Sequence, residues 1–383
     1  MADLALLESI REIPREAWNA LVGDESPFLE WEWLASLEEA GCVGGATGWA
    51  PRPLVAREHG RLVAACPLYL KGNSEGEFVF DFGWADAAQR AGISYYPKLL
   101  VGVPFTPVTG SRFLIAEGQD RRAWIRRFAQ ALQEICLGNE LSSVHVNFLR
   151  DDEREELAAA GFLARSGFQY HWRSRGFASF DDYLASLTSK RRNQAKRERR
   201  ELGEQNVVID ALSGDALGDE QFDAMYEIYL TTVSNNPWGR QYLNRKLFHL
   251  LRERFRHRLC FMRASVGGEL IAGAVNVQKG DALYGRYWGA HRQLRHLHFN
   301  VCYYAGIEHC IAQGLTRFEP GAGGEYKQLR GFDATATWSA HYIADERLRA
   351  AIAHFLEAER RKVDHTLDWY AEHSANRREE PVE

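Results

Sequence analysis

Residues 297–332 read LHFNVCYYAGIEHCIAQGLTRFEPGAGGEYKQLRGF, and the fold follows from how this stretch divides. Apolar residues recur at helical spacing over 301–313, with Asn300 before them as a candidate N-cap and Gly314 just past their end. The run 317–320 has the length and composition of a short strand. Glycines at 321, 323 and 324 then open a polar loop, a helical segment follows, and Gly331-Phe332 leads into a strand at 338–343. The same order occurs earlier in the chain: helix 121–137, Gly138, strand 144–149, helix 151–160, Gly161-Phe162 and strand 168–175. A repeated order of elements with little sequence identity implies a repeated domain.

The flanks extend the two copies. In the first, helix 27–41 precedes a hairpin of 54–57 and 62–70 turning at His59-Gly60, then strands at 78–82 and 99–103 with a connection between them. In the second, strand 207–212 and helices 219–232 and 243–255 precede strands 259–264, 270–278 and 283–289, whose turns carry Gly267-Gly268 and Gly280-Asp281. The expected organisation is an α/β protein of two tandem domains, 1–175 and 176–344. Their sheets are mixed and mostly antiparallel, and a long helix with a polar tail closes the chain at 345–383.

Composition agrees. The 383 residues are 45% hydrophobic with 11 Trp, 15 Tyr and 20 Phe, which excludes a disordered chain and provides for more than one core. No run approaches the ~18 apolar residues of a membrane helix, and the start lacks a signal-peptide layout, so a cytoplasmic protein without a membrane span is expected. Six cysteines without a Cys-x-x-Cys pair suit reduced thiols, and no metal-ligand spacing is present.

The net charge of -5 conceals one local excess. Between Lys190 and Arg200 there are seven basic residues and one acid, Glu198, a local charge of +6 within an expected helix at 180–202. At ~100° per residue these charges spread around nearly the whole circumference, with no apolar stripe between Leu187 and Leu202. Such a helix is either a solvated arm ion-paired to an acidic remainder or a binder of phosphates. Few aromatic residues interleave with it, so base stacking has no support.

Polar chemistry concentrates after strand 317–320. Glu319, Glu325, Tyr326, Lys327 and Arg330 stand among four glycines, which suits a site on a permissive loop or, equally, a solvated loop with ion pairs. In the first domain Asp81, Asp86, Tyr96, Lys98, Thr106 and the His171-Trp172-Arg173 run fall at strand ends or turns. A cleft between the domains would bring these toward Trp288, Tyr303 and the Glu325 loop. His291, His296 and His298 lack the partners of a metal site, and no nucleophile-elbow motif is present.

The order of elements resembles the GNAT acyltransferase fold, twice over. Three segments, 80–110, 170–202 and 297–332, resemble the FemAB-like family of bacterial N-acyltransferases associated with peptidoglycan biosynthesis or recognition, and the resemblance spans nearly the whole chain. It implies transfer of an acyl or aminoacyl group to a small-molecule or peptide amine. Glu319 or Glu325 would assist deprotonation, Tyr326 or Lys327 would serve the leaving group, and Arg330 would orient an anionic part of the substrate. Asp81, Asp86, Tyr96, Lys98, Thr106, Arg173, Trp288 and Tyr303 would contact substrates. The family pattern implies Glu, Gln and His where this chain has Asn300, Gly323 and Tyr326. Those departures leave a non-catalytic ligand-recognition protein as the rival expectation.

No permanently bound cofactor is implied, only a donor substrate, acyl-CoA or aminoacyl-tRNA. A GNAT that uses acyl-CoA carries a glycine-rich loop before its long helix, where backbone N–H groups hold the pyrophosphate. Here the equivalent segment is Gln293-Leu294-Arg295-His296-Leu297-His298, with histidine at both small positions. Aminoacyl-tRNA then becomes the alternative donor, and the basic run 190–200 the place for tRNA or another polyanion.

Overall fold

The computed structural model describes residues 3–235 and 240–377. The chain divides into two compact units, one of residues 1–167 with 336–365 and the other of 168–335 with 366–383. The last part of the polar tail, 378–383, lies outside the described residues.

The first unit contains β1 (Asp3–Leu6), α1 (Arg15–Val22), α2 (Trp31–Glu39), β2 (Trp49–Pro51), β3 (Leu54–Glu58), β4 (Arg61–Cys66), β5 (Leu68–Lys71) and α3 (Phe82–Arg90). It continues through β6 (Lys98–Val101), β7 (Leu114–Ile115), α4 (Arg121–Gly138), β8 (Ser143–Asn147), α5 (Asp151–Ala159) and the start of β9 (Leu163–Arg173). Strands β1, β3, β4 and β7 form one small sheet. Strands β2, β5, β6 and β8 form the other, which is completed by the later part of β15 (Asp333–Ile343) beside β8. Its one parallel pair is β6 with β8, joined through α4. Asp120 caps α4 by accepting from Ala123 N at 3.0 Å, and the helix buries Trp124, Ile125, Phe128 and Leu132 against Leu54, Val63, Val144 and Val146.

The second unit contains the end of β9, α6 (Phe180–Ser186), α7 (Ser189–Gly203), β10 (Val208–Ser213), α8 (Asp219–Asn235) and α9 (Arg245–Arg254). Then come β11 (Leu259–Val266), β12 (Glu269–Lys279), β13 (Ala282–Ala290), α10 (Leu297–Phe299), α11 (Ala305–Gln313) and β14 (Arg317–Glu319). The strand order is β10-β11-β12-β13-β14-β9, antiparallel except for β13 beside β14. Again the parallel pair is joined by the unit's core helix, which is what a strand-helix-strand crossover requires. Helix α12 (Glu346–Glu372) closes the fold. All six cysteines are free thiols. No helix among the described residues is long and apolar enough to cross a membrane.

The structure corrects four expectations. Residues 78–82 do not form a strand; α3 starts at Phe82, with the Asp81 carbonyl accepting from Trp84 N and Ala85 N, while the Asp81 side chain accepts from Tyr95 and Lys98 and does not cap the helix. The 180–202 helix is two helices, broken where Leu187 turns extended and Thr188 N bonds Ala375 O at 2.9 Å. Asn300 is not an N-cap. The helix begins at Leu297, Asn300–Tyr304 is a π turn within it, and Asn300 Nδ2 donates to Glu198 O and His296 O. Finally, α7 does have a buried stripe, formed by Ala195, Glu198 and Leu202. A charged residue occupies its centre, which hid it from an apolar count.

Candidate functional site

In the second unit, β14 runs beside β13 only from Arg317 to Glu319, paired with 282–284. Beyond Glu319 the chain turns through Gly321, Gly323 and Gly324 at φ of 92°, 67° and 82°, conformations open to glycine and strained for other residues. A 3₁₀ helix, Glu325–Arg330, follows.

Glu319 is the chemical centre of this turn. It is 3% exposed, and neither carboxylate oxygen has a hydrogen-bond partner. Strand β9 pairs with β14 at Trp172 and Phe318, which carries His171 to the position opposite Glu319. His171 Nε2 lies 3.7 Å from Glu319 Oε2 and is itself without a hydrogen-bond partner, while Arg317 approaches Glu319 Oε1 at 3.3 Å. Burial raises the Glu319 carboxyl to about 7 despite Arg317, Arg173 and Arg286. Burial and the neighbouring cations push His171 down to about 3, so its ring is neutral. Buried polar atoms without hydrogen-bond partners are rare in proteins, and each calls for an explanation such as a catalytic role or a bound water or ion.

Lys327 stands on the same turn. Its ammonium donates to Gly321 O at 2.6 Å and Ala322 O at 3.3 Å, and burial lowers its pKa to about 8. His298 and Tyr303 lie near it, and His298 packs against both Trp288 and Tyr303, with ring centres 4.7 Å and 5.2 Å apart. Glu325 and Tyr326 are exposed, Tyr326 to 61%. Arg330 is not free to hold an anion: it binds Glu198 with two bonds of 2.7 and 3.1 Å and donates to Tyr326 O at 2.7 Å. Arg173 is exposed and pairs in register with Arg317.

The first unit gathers a second polar cluster. Lys98, at the start of β6 and fully buried, donates to Ser74 Oγ at 2.9 Å, Glu77 Oε2 at 3.0 Å and Asp81 Oδ2 at 2.5 Å. Tyr95 also donates to Asp81, and Tyr96 shares a bond of 2.7 Å with Ser74. Burial opposes the Lys98 charge, but Glu77 and Asp81 outweigh it and raise its pKa. His145 and His341 face each other across β8 and β15 with Nδ1 atoms 2.9 Å apart. Burial keeps both well below the ordinary histidine value, hence neutral. Glu77, Asp81 and His145 have ligand atoms within 4.8 Å of one another, a spacing a metal ion would accept, but the Lys98 ammonium already supplies the positive charge between the two carboxylates. Of the first-domain candidates, Asp81, Tyr96 and Lys98 therefore meet. Asp86 is exposed and ion-paired to Arg90, and Thr106 donates to Pro104 O.

Sequence reasoning missed Glu77, His145 and His341, which lie in ordinary strand or loop contexts. It passed over Glu198, whose signal was its position as the single acid in the basic run.

Two units, each with a parallel strand pair bridged by its core helix and a mostly antiparallel sheet, define a tandem GNAT-like protein. The chain belongs to the FemAB-like family, described as peptidoglycan biosynthesis/recognition, whose profile matches residues 9–378. Among solved structures it is similar to FemX at 12% identity, covering 89% of this chain and 98% of that one with a TM-score of 0.56. The C-terminal domain of a putative lysylphosphatidylglycerol synthetase from Agrobacterium fabrum is similar at 10% identity, covering 91% and 97%, with a TM-score of 0.55. L-PGS from Bacillus licheniformis is similar at 8% identity, covering 92% and 97%, with a TM-score of 0.51. No curated protein matches the chain in sequence.

Proposed function

We propose that the protein is an N-acyltransferase that moves an acyl or aminoacyl group onto an amine at the β14 turn of the second unit. The observation that carries this is Glu319, a buried carboxylate that accepts no hydrogen bond at either oxygen and has a pKa raised to about 7. A base poised near neutrality is what removing a proton from an attacking ammonium requires. The amine nitrogen bonds to the acyl carbon, its proton passes to Glu319, and the donor's C–O or C–S bond breaks. Lys327, lowered to about 8, is placed to return a proton to the departing oxygen or sulfur. Main-chain N–H groups of β13 beyond Tyr284, where β14 no longer runs beside it, suit the developing oxyanion. Neutral His171 adds no further positive charge beside the base.

The donor we favour is an aminoacyl group carried on RNA rather than a CoA thioester. At the start of α10, His296 is left-handed and its Nε2 lies 3.1 Å from Glu201 Oε2, with Arg295 also on Glu201 at 3.3 Å. A carboxylate beside a helix N-terminus disfavours a pyrophosphate there. On α7, Lys190, Asn193, Gln194, Lys196, Arg197 and Arg200 line an open concavity of about 640 Å³, suited to a phosphate backbone.

The test supplies aminoacyl-tRNA and acyl-CoA donors in turn with amine-bearing cell-wall precursors and follows amide formation by mass spectrometry. Product with aminoacyl-tRNA, strongly reduced with Glu319→Gln, is expected. Saturable precursor binding without product from any donor would favour the ligand-recognition rival.

A further inference from the structure

We infer that Glu198 is a positioning residue that couples RNA bound on α7 to the β14 turn, an inference resting on the RNA reading above. The one acid of the basic run faces inward and is buried. Its Oε1 accepts from Arg330 Nη2 at 2.7 Å and from Gln194 Nε2 at 2.9 Å, and its Oε2 from Tyr304 Oη at 2.6 Å and Arg330 Nε at 3.1 Å. Its main-chain oxygen also accepts from Asn300 in the π turn. On the solvent side, Gln194 belongs to the α7 concavity and accepts from Arg191 at 3.0 Å. On the inner side, Arg330 grips Tyr326 O and lies 3.4 Å over the Phe299 ring.

A continuous path of hydrogen bonds thus runs from a phosphate-binding face, through Gln194, Glu198 and Arg330, into the turn that carries Lys327 and follows Glu319. The turn's glycines impose little conformation of their own, so the side chains gripping its carbonyls set its order. RNA that immobilises the first turns of α7 fixes Glu198, and through Arg330 it withdraws freedom from the turn. Coupling of this kind needs no change of shape, only a loss of motion in one place that lowers the entropic cost in the other.

The experiment is hydrogen exchange of peptides covering 320–331 in the full chain, with and without a short single-stranded RNA oligonucleotide at low salt. In the wild type, RNA slows exchange there by about fivefold or more, the lower end of typical coupling. Glu198→Gln and Arg330→Lys, neither of which alters a residue lining the concavity, bind the RNA with affinity within a few-fold of wild type and lose that slowing, which a merely structural role would not do. Without RNA, Glu198→Gln exchanges about tenfold faster over 320–331 while β11 to β13 are unchanged. If Glu198→Gln does not fold, Arg330→Lys, which keeps a cation beside Glu198 but loses the paired bonds to it, carries the same test. RNA binding that leaves 320–331 unaltered in the wild type, or an undiminished response in both variants, overturns the coupling. Absence of RNA binding by the wild type overturns the RNA reading and the coupling together, while amide formation from a soluble donor would still stand.

Discussion

Replacing Glu319 by Gln should make the second unit more stable at neutral and alkaline pH, although it removes the proposed base. The carboxyl is raised from an ordinary 4.5 to about 7 by burial, so the folded state holds a proton that the unfolded chain has released. Between those values the unfolded state binds fewer protons, and stability falls by about 1.4 kcal/mol per pH unit. The full loss is present above about pH 7 and amounts to about 3 kcal/mol. Glutamine fills the same volume and carries no charge, so the variant escapes the fall. Because two units invite separate unfolding steps, native-state hydrogen exchange of β12 amides is the assay, since it reports the second unit alone. Near pH 5 the two proteins should agree within about 1 kcal/mol, and at about pH 8 the variant should be more stable by about 2–3 kcal/mol. Superimposable pH profiles, or a variant less stable at about pH 8, would show Glu319 to be an ordinary paired carboxylate and refute the reasoning.

Three further outcomes are expected. Lys98→Met should destabilise the first unit by about 3–5 kcal/mol, because it strands two buried carboxylates, and adding Glu77→Gln and Asp81→Asn should recover most of the loss in a denaturant melt. Gly289→Ala should cost at least about 3 kcal/mol, since a Cβ there would sit 1.8 Å from Ile228 O and force α8 off β13; thermal melts check this, and a near-neutral result would contradict the packing. Neutralising Lys190, Lys196, Arg197 and Arg200 together should reduce the slope of log affinity for single-stranded RNA against log salt by up to about 3, measured by fluorescence anisotropy.

Much of this fold was legible because its signals are local. Gly138, Gly161, Gly314 and Gly331 punctuate two equivalent series of elements, and the strands of the second unit are apolar runs bounded by the glycine turns at 267–268 and 280–281. What escaped is chemistry fixed by distant partners. Nothing near Asp81 in sequence announces Lys98, and strand positions such as His145 and His341 look like any other until register sets them face to face. Glu198 shows the limit most plainly. A count of charge made α7 a uniformly cationic rod, whereas its one acid is the residue that turns inward and ties the helix to Arg330. Glu319 and Lys327 were visible as polar residues after a strand, but their burial, which tunes both toward neutrality, depends on β9 and the aromatic surround.

The central claim is that Glu319 is the base of an amide-forming reaction, and the single-turnover rate of amide formation from aminoacyl-tRNA tests it most directly. The wild-type rate should rise about tenfold between about pH 6 and pH 8, following deprotonation of a group near 7, and Glu319→Gln should lower it by about 100-fold or more and flatten the profile. A wild-type rate independent of pH across that range, or one that survives Glu319→Gln unchanged, would contradict the account.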